Sequence, residues 1–123
     1  MDIHVAMDAR MGEIYAGHYR WSESRWHALE APALFTLPEL HAAWAEQPPR
    51  LVAGSAVSAF GDALRTGDAL RVGQDIDRAA ATMRLAQQLW RDGAGVDAAL
   101  ALPLYLRDKV ALTVADRQAL AAR

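Results

Sequence analysis

The sequence contains no cysteine, which excludes disulfides, thiolate metal sites and a cysteine nucleophile. Lysine is reduced to a single residue, Lys109, and Lys plus Arg total 13 against 15 Asp plus Glu, a formal net charge of -2. That balance argues against a broad electropositive surface for nucleic acid or anionic membrane. No stretch approaches the roughly 18 consecutive apolar residues of a membrane helix. The opening Met1-Asp2-Ile3-His4-Val5 has no basic stretch leading into an apolar run, so it does not read as a signal peptide. Repeats, low-complexity tracts and domain linkers are also missing. What is present, 53% hydrophobic and 23% charged residues over 123 positions, suits one globular domain spanning 1–123 and able to bury a core. The expectation is a soluble, cytoplasmic domain without direct membrane contact.

The first third reads as β-structure. Residues 3–8 alternate Ile3, Val5 and Met7 against His4, Ala6 and Asp8, the period of a half-buried strand. This pattern begins almost at the first residue, where termini usually carry a few loose positions. Ala9-Arg10-Met11-Gly12 reads as a tight connection, with Gly12 free to take a positive φ. A second strand over 13–21 carries a bulge or close approach at Gly17. Ser22-Glu23-Ser24 is a polar turn, and a third strand over 25–35 has Pro32 marking an edge or kink. Two short connections in succession imply an antiparallel meander. Thr36-Leu37-Pro38-Glu39 then starts a helix whose Leu37, Leu40, Ala43 and Trp44 share a face. Residues 50–53 form a short strand, and a small helix runs through Val57, Phe60 and Leu64. Leu70-Arg71-Val72 is a brief strand. The strongest helical period lies at 76–92, where Ile76, Ala79, Ala80, Met83, Ala86, Leu89 and Trp90 form an apolar face between an Asp75 cap and a Gly93 stop. Thr113 to Arg123 is weakly amphipathic. Three meander strands extended by two parallel ones, with helices on the faces, give an α/β domain of ribonuclease H-like topology.

Few residues converge on chemistry. His4, His18, His27 and His41 form neither H-x-x-x-H nor H-E-x-x-H, so solvent-facing imidazoles are expected rather than metal ligands. Asp8 at the end of the first strand, with Glu13 close behind, is conceivable as a two-carboxylate magnesium site. The simpler reading has Asp8 capping the turn and pairing with Arg10. Gly54-Ser55-Ala56 lacks a dinucleotide fingerprint, a P-loop lysine and a G-x-S-x-G context, and reads as a close strand-to-helix turn. Trp44 and Trp90 read as core, and Trp21 and Trp26 as a pair packed across the hairpin. The apolar strip Pro103-Leu104-Tyr105-Leu106-Arg107 must bury itself, against this domain or a partner, with Arg107 as its anchor and Arg10 tying the first turn to Asp8 or Glu13. No catalytic, cofactor or metal residue is assigned.

Two segments resemble a known family. Asp8-Ala9-Arg10-Met11-Gly12-Glu13-Ile14-Tyr15 is similar to the D-A-R-M/R-G-E-V-Y signature opening the second half of the TsaB (YeaZ) family. Pro103-Leu104-Tyr105-Leu106-Arg107, followed by Val110-Ala111, is similar to its P-x-Y-L-R-x-x-V-A close. The Val52-Ala53-Gly54-Ser55 turn and the 76–92 helix fall between them in order. The resemblance implies an ASKHA-type, ribonuclease H-like fold and a non-catalytic scaffold role in tRNA threonylcarbamoyladenosine synthesis. Its implied partners are the catalytic TsaD-type subunit and the ATPase subunit, with tRNA reached only indirectly. Older naming for the group is glycoprotease-like, an inactive homologue of metal-dependent proteases, with a supposed chaperone role. Asp8, Arg10, Gly12, Glu13, Tyr15, Gly54, Pro103, Tyr105, Leu106 and Arg107 are the motif residues. The family's other half, with an L-A-x-D-T-S-like strand and a G-P-G-S-F-T-G-like loop, is not found here. The resemblance therefore implies a C-terminal half, with the main heterodimer contacts on the other half and an apolar inter-half face open to homodimerisation. A metal-dependent hydrolase or peptidase is the competing reading.

Overall fold

The computed structural model describes residues 1–73, 77–107 and 114–122. Three strands come first: β1 (Asp2–Asp8), β2 (Glu13–Ser22) and β3 (Arg25–Thr36). They are followed by α1 (Leu37–Glu46), β4 (Leu51–Ala53), α2 (Ser55–Phe60), β5 (Leu70–Val72), α3 (Arg78–Arg91) and α4 (Val114–Ala121). The sheet order is β3-β2-β1-β4-β5. β1 to β3 form an antiparallel meander, and β4 and β5 extend it in parallel. The element order and strand directions match those expected from the sequence. Among the described residues no helix is long and apolar enough to cross a membrane.

Local chemistry explains the joints. Glu23 and Ser24 between β2 and β3 both take positive φ, 52° and 60°, the geometry whose twist matches paired strands. Trp21 and Trp26 pack across this hairpin with centroids 5.2 Å apart. The β2–β3 register shifts between Ala16 and His18, where a Cβ on Gly17 would lie 3.3 Å from Pro32 Cα. Pro32 is tolerated because β3 is an edge strand. Thr36 caps α1 through a reciprocal box with Glu39: the Thr36 backbone N–H donates to Glu39 Oε2 at 2.8 Å, and the Glu39 N–H donates to Thr36 Oγ1 at 3.4 Å. These bonds hold the Glu39 carboxyl below its ordinary range. Arg71 on β5 donates to the Gly61 carbonyl at 2.6 Å, satisfying the exposed end of α2.

The core lies on the opposite face of β1 from the one its apolar residues suggest. Ala6 and His4 are buried, while Ile3, Val5 and Met7 are only half-buried. Both α1 and α2 land on the Ala6 face, enclosing Ile14, Ala16, Val52, Leu40, Trp44, Ala56 and Leu64. Ala6, Ala16 and Ala56 are small, so the helices approach the sheet closely there; bulkier Ile3, Val5 and Met7 would hold them away. Of the expected α1 face, Leu40 and Trp44 are buried and Leu37 packs beside them, while Ala43 is exposed.

α3 also differs from its expected orientation. It is capped by Asp77, whose carboxylate accepts the Ala80 N–H at 2.9 Å; the expected Asp75 cap and Ile76 lie outside the described residues. Gly93 ends it with φ 70°. No residue of α3 is buried, and Trp90, expected in the core, is 78% exposed. The helix instead turns Ala81, Leu85 and Gln88 toward Trp21 and Trp26, a stripe displaced from the apolar one. An Arg25–Asp92 ion pair at 3.4 Å fastens its end to the hairpin.

Candidate functional site: the Asp8–Tyr15 turn and its arginine clamp

The two motifs at opposite ends of the sequence meet in space. At the end of β1, Asp8 Oδ1 accepts the Arg10 backbone N–H at 3.0 Å, a side-chain mimic of a backbone turn. Arg10, Met11 and Gly12 then take three consecutive positive φ values, 65°, 56° and 74°. Only Gly12 does so without steric penalty. The loop closes through Ala9 N–H to the Glu13 carbonyl at 2.9 Å and Glu13 N–H to the Arg10 carbonyl at 3.0 Å.

Arg107 holds this conformation from outside. Its Nη1 donates to Glu13 Oε1 at 2.9 Å across 94 positions of sequence. Nη2 donates to the Ala9 carbonyl at 3.1 Å and reaches the Arg10 carbonyl at 3.5 Å. The guanidinium fork thus spans one carboxylate and the turn's backbone, a geometry that a lysine's point charge cannot reproduce. Arg107's side chain is 10% exposed, and Nη1 also contacts Met11 Sδ at 3.3 Å.

A second tie lies behind the turn. The Asp8 backbone N–H donates to Ser55 Oγ at 2.9 Å, joining the end of β1 to the start of α2. Gly54 makes that approach possible. Its φ is 129°, and a Cβ there would lie 2.2 Å from the Ala6 carbonyl oxygen. Gly54 N–H donates to the Val72 carbonyl at 3.0 Å, so this one residue joins the ends of β4 and β5 while lying against the backbone of β1. The Gly54-Ser55 segment is the close strand-to-helix turn its sequence suggests.

Several expectations change. Arg10 does not tie down Glu13; it is 89% exposed and reaches Asp8 Oδ2 only at 4.0 Å, a weak contact. Arg107 takes the role instead, because its approach from outside matches the carbonyls that the positive-φ turn presents. The Pro103–Arg107 strip is not buried as a unit. Leu104 and Tyr105 are 69% and 78% exposed, while Leu106 and Arg107 are sheltered. Leu104, Leu106 and Tyr15 line an open cleft of about 630 Å³ beside Ala9, Arg10 and Met11. Val110 and Ala111 of the closing motif lie outside the described residues. His4 and His18 are not solvent-facing but 8% and 9% exposed, because both point into the helix-covered side of the sheet. Among the described residues no group of three or more His, Asp or Glu is placed to hold a metal ion.

The consecutive positive φ values of Arg10 and Met11, the Ser55 bond and the Glu13–Arg107 pairing all escaped sequence reasoning. Only the last left a signal, as two charged motif residues of opposite sign far apart in sequence.

No family model matches the chain, and no curated protein does. Solved structures do. A Pseudomonas aeruginosa protein described as similar to peptidase YeaZ superposes with a TM-score of 0.72 at 25% identity, covering 86% of this chain and 49% of that one. YeaZ from Pseudomonas aeruginosa gives a TM-score of 0.69 at 24% identity, covering 85% and 49%. The chain therefore spans about half the length of both. Its likeness to the TsaB (YeaZ) family, read first from two short motifs, extends to the fold in which those motifs meet.

Proposed function

We propose that this chain is the C-terminal, ribonuclease H-like (ASKHA) half of a TsaB-type protein. In this reading it serves as a non-catalytic scaffold in the cytoplasmic complex that makes threonylcarbamoyladenosine in tRNA. Its partners are a TsaD-type catalytic subunit and an ATPase subunit, and tRNA is contacted only through them. The observation that carries this reading is the Arg107 clamp. It unites the two motifs on a fold shared with YeaZ, and within the turn it holds, both motif acids are engaged in structure. Glu13 is engaged by Arg107, and Asp8 accepts a backbone amide of its own turn. A two-carboxylate magnesium centre would need both groups turned to a shared ion. Of the other motif side chains, Arg10, Pro103 and Tyr105 are exposed and Tyr15 and Leu106 half-buried, so the clamped turn and its strip face outward.

The test is reconstitution of the transfer reaction from the catalytic and ATPase subunits, this chain, and the companion half supplied in trans. Transfer should require the chain, and Asp8→Asn, which retains an acceptor for the turn, should leave the rate within about twofold. Hydrolytic or transferase activity of the chain alone, abolished by Asp8→Asn, would overturn the reading. A second role, self-association, is favoured by one observation: Leu89, Trp90, Leu100 and Leu102 are each more than half exposed, and light scattering over a concentration series measures it.

A further inference from the structure

We propose that the His4–His18 pair is an acid-sensitive latch beneath α1, holding the helix on the sheet when neutral and releasing it when protonated. The two residues are direct cross-strand partners, and their rings stack with centroids 4.0 Å apart and planes inclined by 14°. α1 covers them, with Trp44 meeting His4 edge-on at 6.1 Å. His4 Nδ1 and His18 Nε2 are buried without a hydrogen-bond partner. The stack is therefore tolerated as two flat, uncharged rings rather than held by acceptors that would welcome a proton.

The charged groups around the pair set its response. From β1, Asp2 Oδ2 lies 3.8 Å from His18 Nε2, beyond hydrogen-bond reach. That carboxylate is already bound by Arg20 of β2 through two bonds of 2.8 Å. From β3, Glu30 is the register partner of His18, and His27 that of Arg20. β4 contributes the apolar Val52, and α1 contributes Trp44 and Leu40, none of them charged. A single proton on the pair faces Asp2 and Glu30. On His4 that charge sits one ring spacing from the second imidazole, directly under the helix.

Linkage fixes the direction. Burial, and then the neighbouring His18, hold the His4 imidazole below its ordinary value. An opened or unfolded chain consequently takes up that proton more readily. The stability contributed by the neutral stack is complete above about pH 6.5 and is lost as pH falls below it. A cleft of about 330 Å³ between α1 and β3, reaching His4, Gly17, Glu30 and Trp44, gives water a route to the rings once the helix lifts.

Amide hydrogen exchange on the intact chain at pH 7.5 and pH 5.0, corrected for intrinsic rates, tests this. Protection in α1 should fall at least about tenfold at the lower pH while the β2–β3 hairpin keeps its own. His4→Phe and His18→Phe each preserve a flat ring without a titratable nitrogen, and either should flatten the dependence. His41 on α1 accepts the Arg65 N–H and is itself held below its ordinary value by burial and by Arg65, so the comparison is made in a His41→Gln background, where the His4-dependent loss should persist. PH-independent protection of α1, dependence that survives in a folded Phe variant, or equal loss across helix and hairpin would each overturn the proposal. The helix-against-hairpin contrast in the unmodified chain decides the matter even where a variant fails to fold.

Discussion

The two faces of the sheet meet opposite fates. One bears Ala6, Ala16, Val52 and a histidine pair, and two helices seal it until Ile14, Leu40 and Leu64 are almost wholly buried. The other bears Ile3, Val5 and Tyr19, and meets Leu85 of α3 across an open groove of about 400 Å³. A strand's period reports that its faces differ, not which face the helices take. Side-chain volume decides that here. Alanines let a helix backbone approach, so the less hydrophobic side of β1 becomes the core, at the cost of burying two imidazoles.

The contrast can be broken most severely at its hinge. Gly54→Ala should prevent folding or destabilise by more than about 4 kcal/mol, since its Cβ would collide with the Ala6 carbonyl in a positive-φ conformation; circular dichroism and urea unfolding measure this. Next comes a matched pair of truncations. Leu40→Ala, on the sealed face, should cost about 2–5 kcal/mol, whereas Leu85→Ala, 48% exposed on the open face, should cost under about 1 kcal/mol. Equal urea midpoints for the two would contradict the assignment of faces.

A third test separates the two arginines of the turn. Arg107→Met should lower the urea midpoint and show clear coupling to Glu13→Gln in a double-mutant cycle. Arg10→Ala should stay within about 0.5 kcal/mol, because its contact with Asp8 is long and exposed. The smallest expected effect is electrostatic. The Arg20 guanidinium, opposed by partial desolvation, holds the Asp2 carboxyl down at about 2. Its contribution is therefore present above the ordinary aspartate range and lost as pH falls toward 2. In Arg20→Gln, Asp2 should titrate in the ordinary range by carboxyl-detected NMR.

Much of the fold was legible because it rests on local rules. The Thr36–Glu39 box, the Gly12 and Gly93 turns and the Gly17 bulge all follow from backbone preferences that a residue type declares. The antiparallel meander followed from two short connections. What was not legible depended on tertiary choices: the face of β1 that the helices cover, the rotation of α3 that leaves Trp90 in solvent, and the arginine that reaches Glu13. Arg10 is three residues from Glu13 and Arg107 is 94 away, yet the turn's positive φ values present its carbonyls to the distant one. The histidine stack was hidden for a related reason. Register placed His4 opposite His18, but only the covering helix made the pair buried.

Asp8 and Glu13 are both engaged within the turn, Asp8 by the Arg10 amide and Glu13 by Arg107. Calorimetric titration of the chain with magnesium chloride tests this most directly. No saturable heat is expected for the wild-type chain or for Asp8→Asn. Saturable binding that disappears in Asp8→Asn or Glu13→Gln would contradict it and return the site to metal-dependent chemistry.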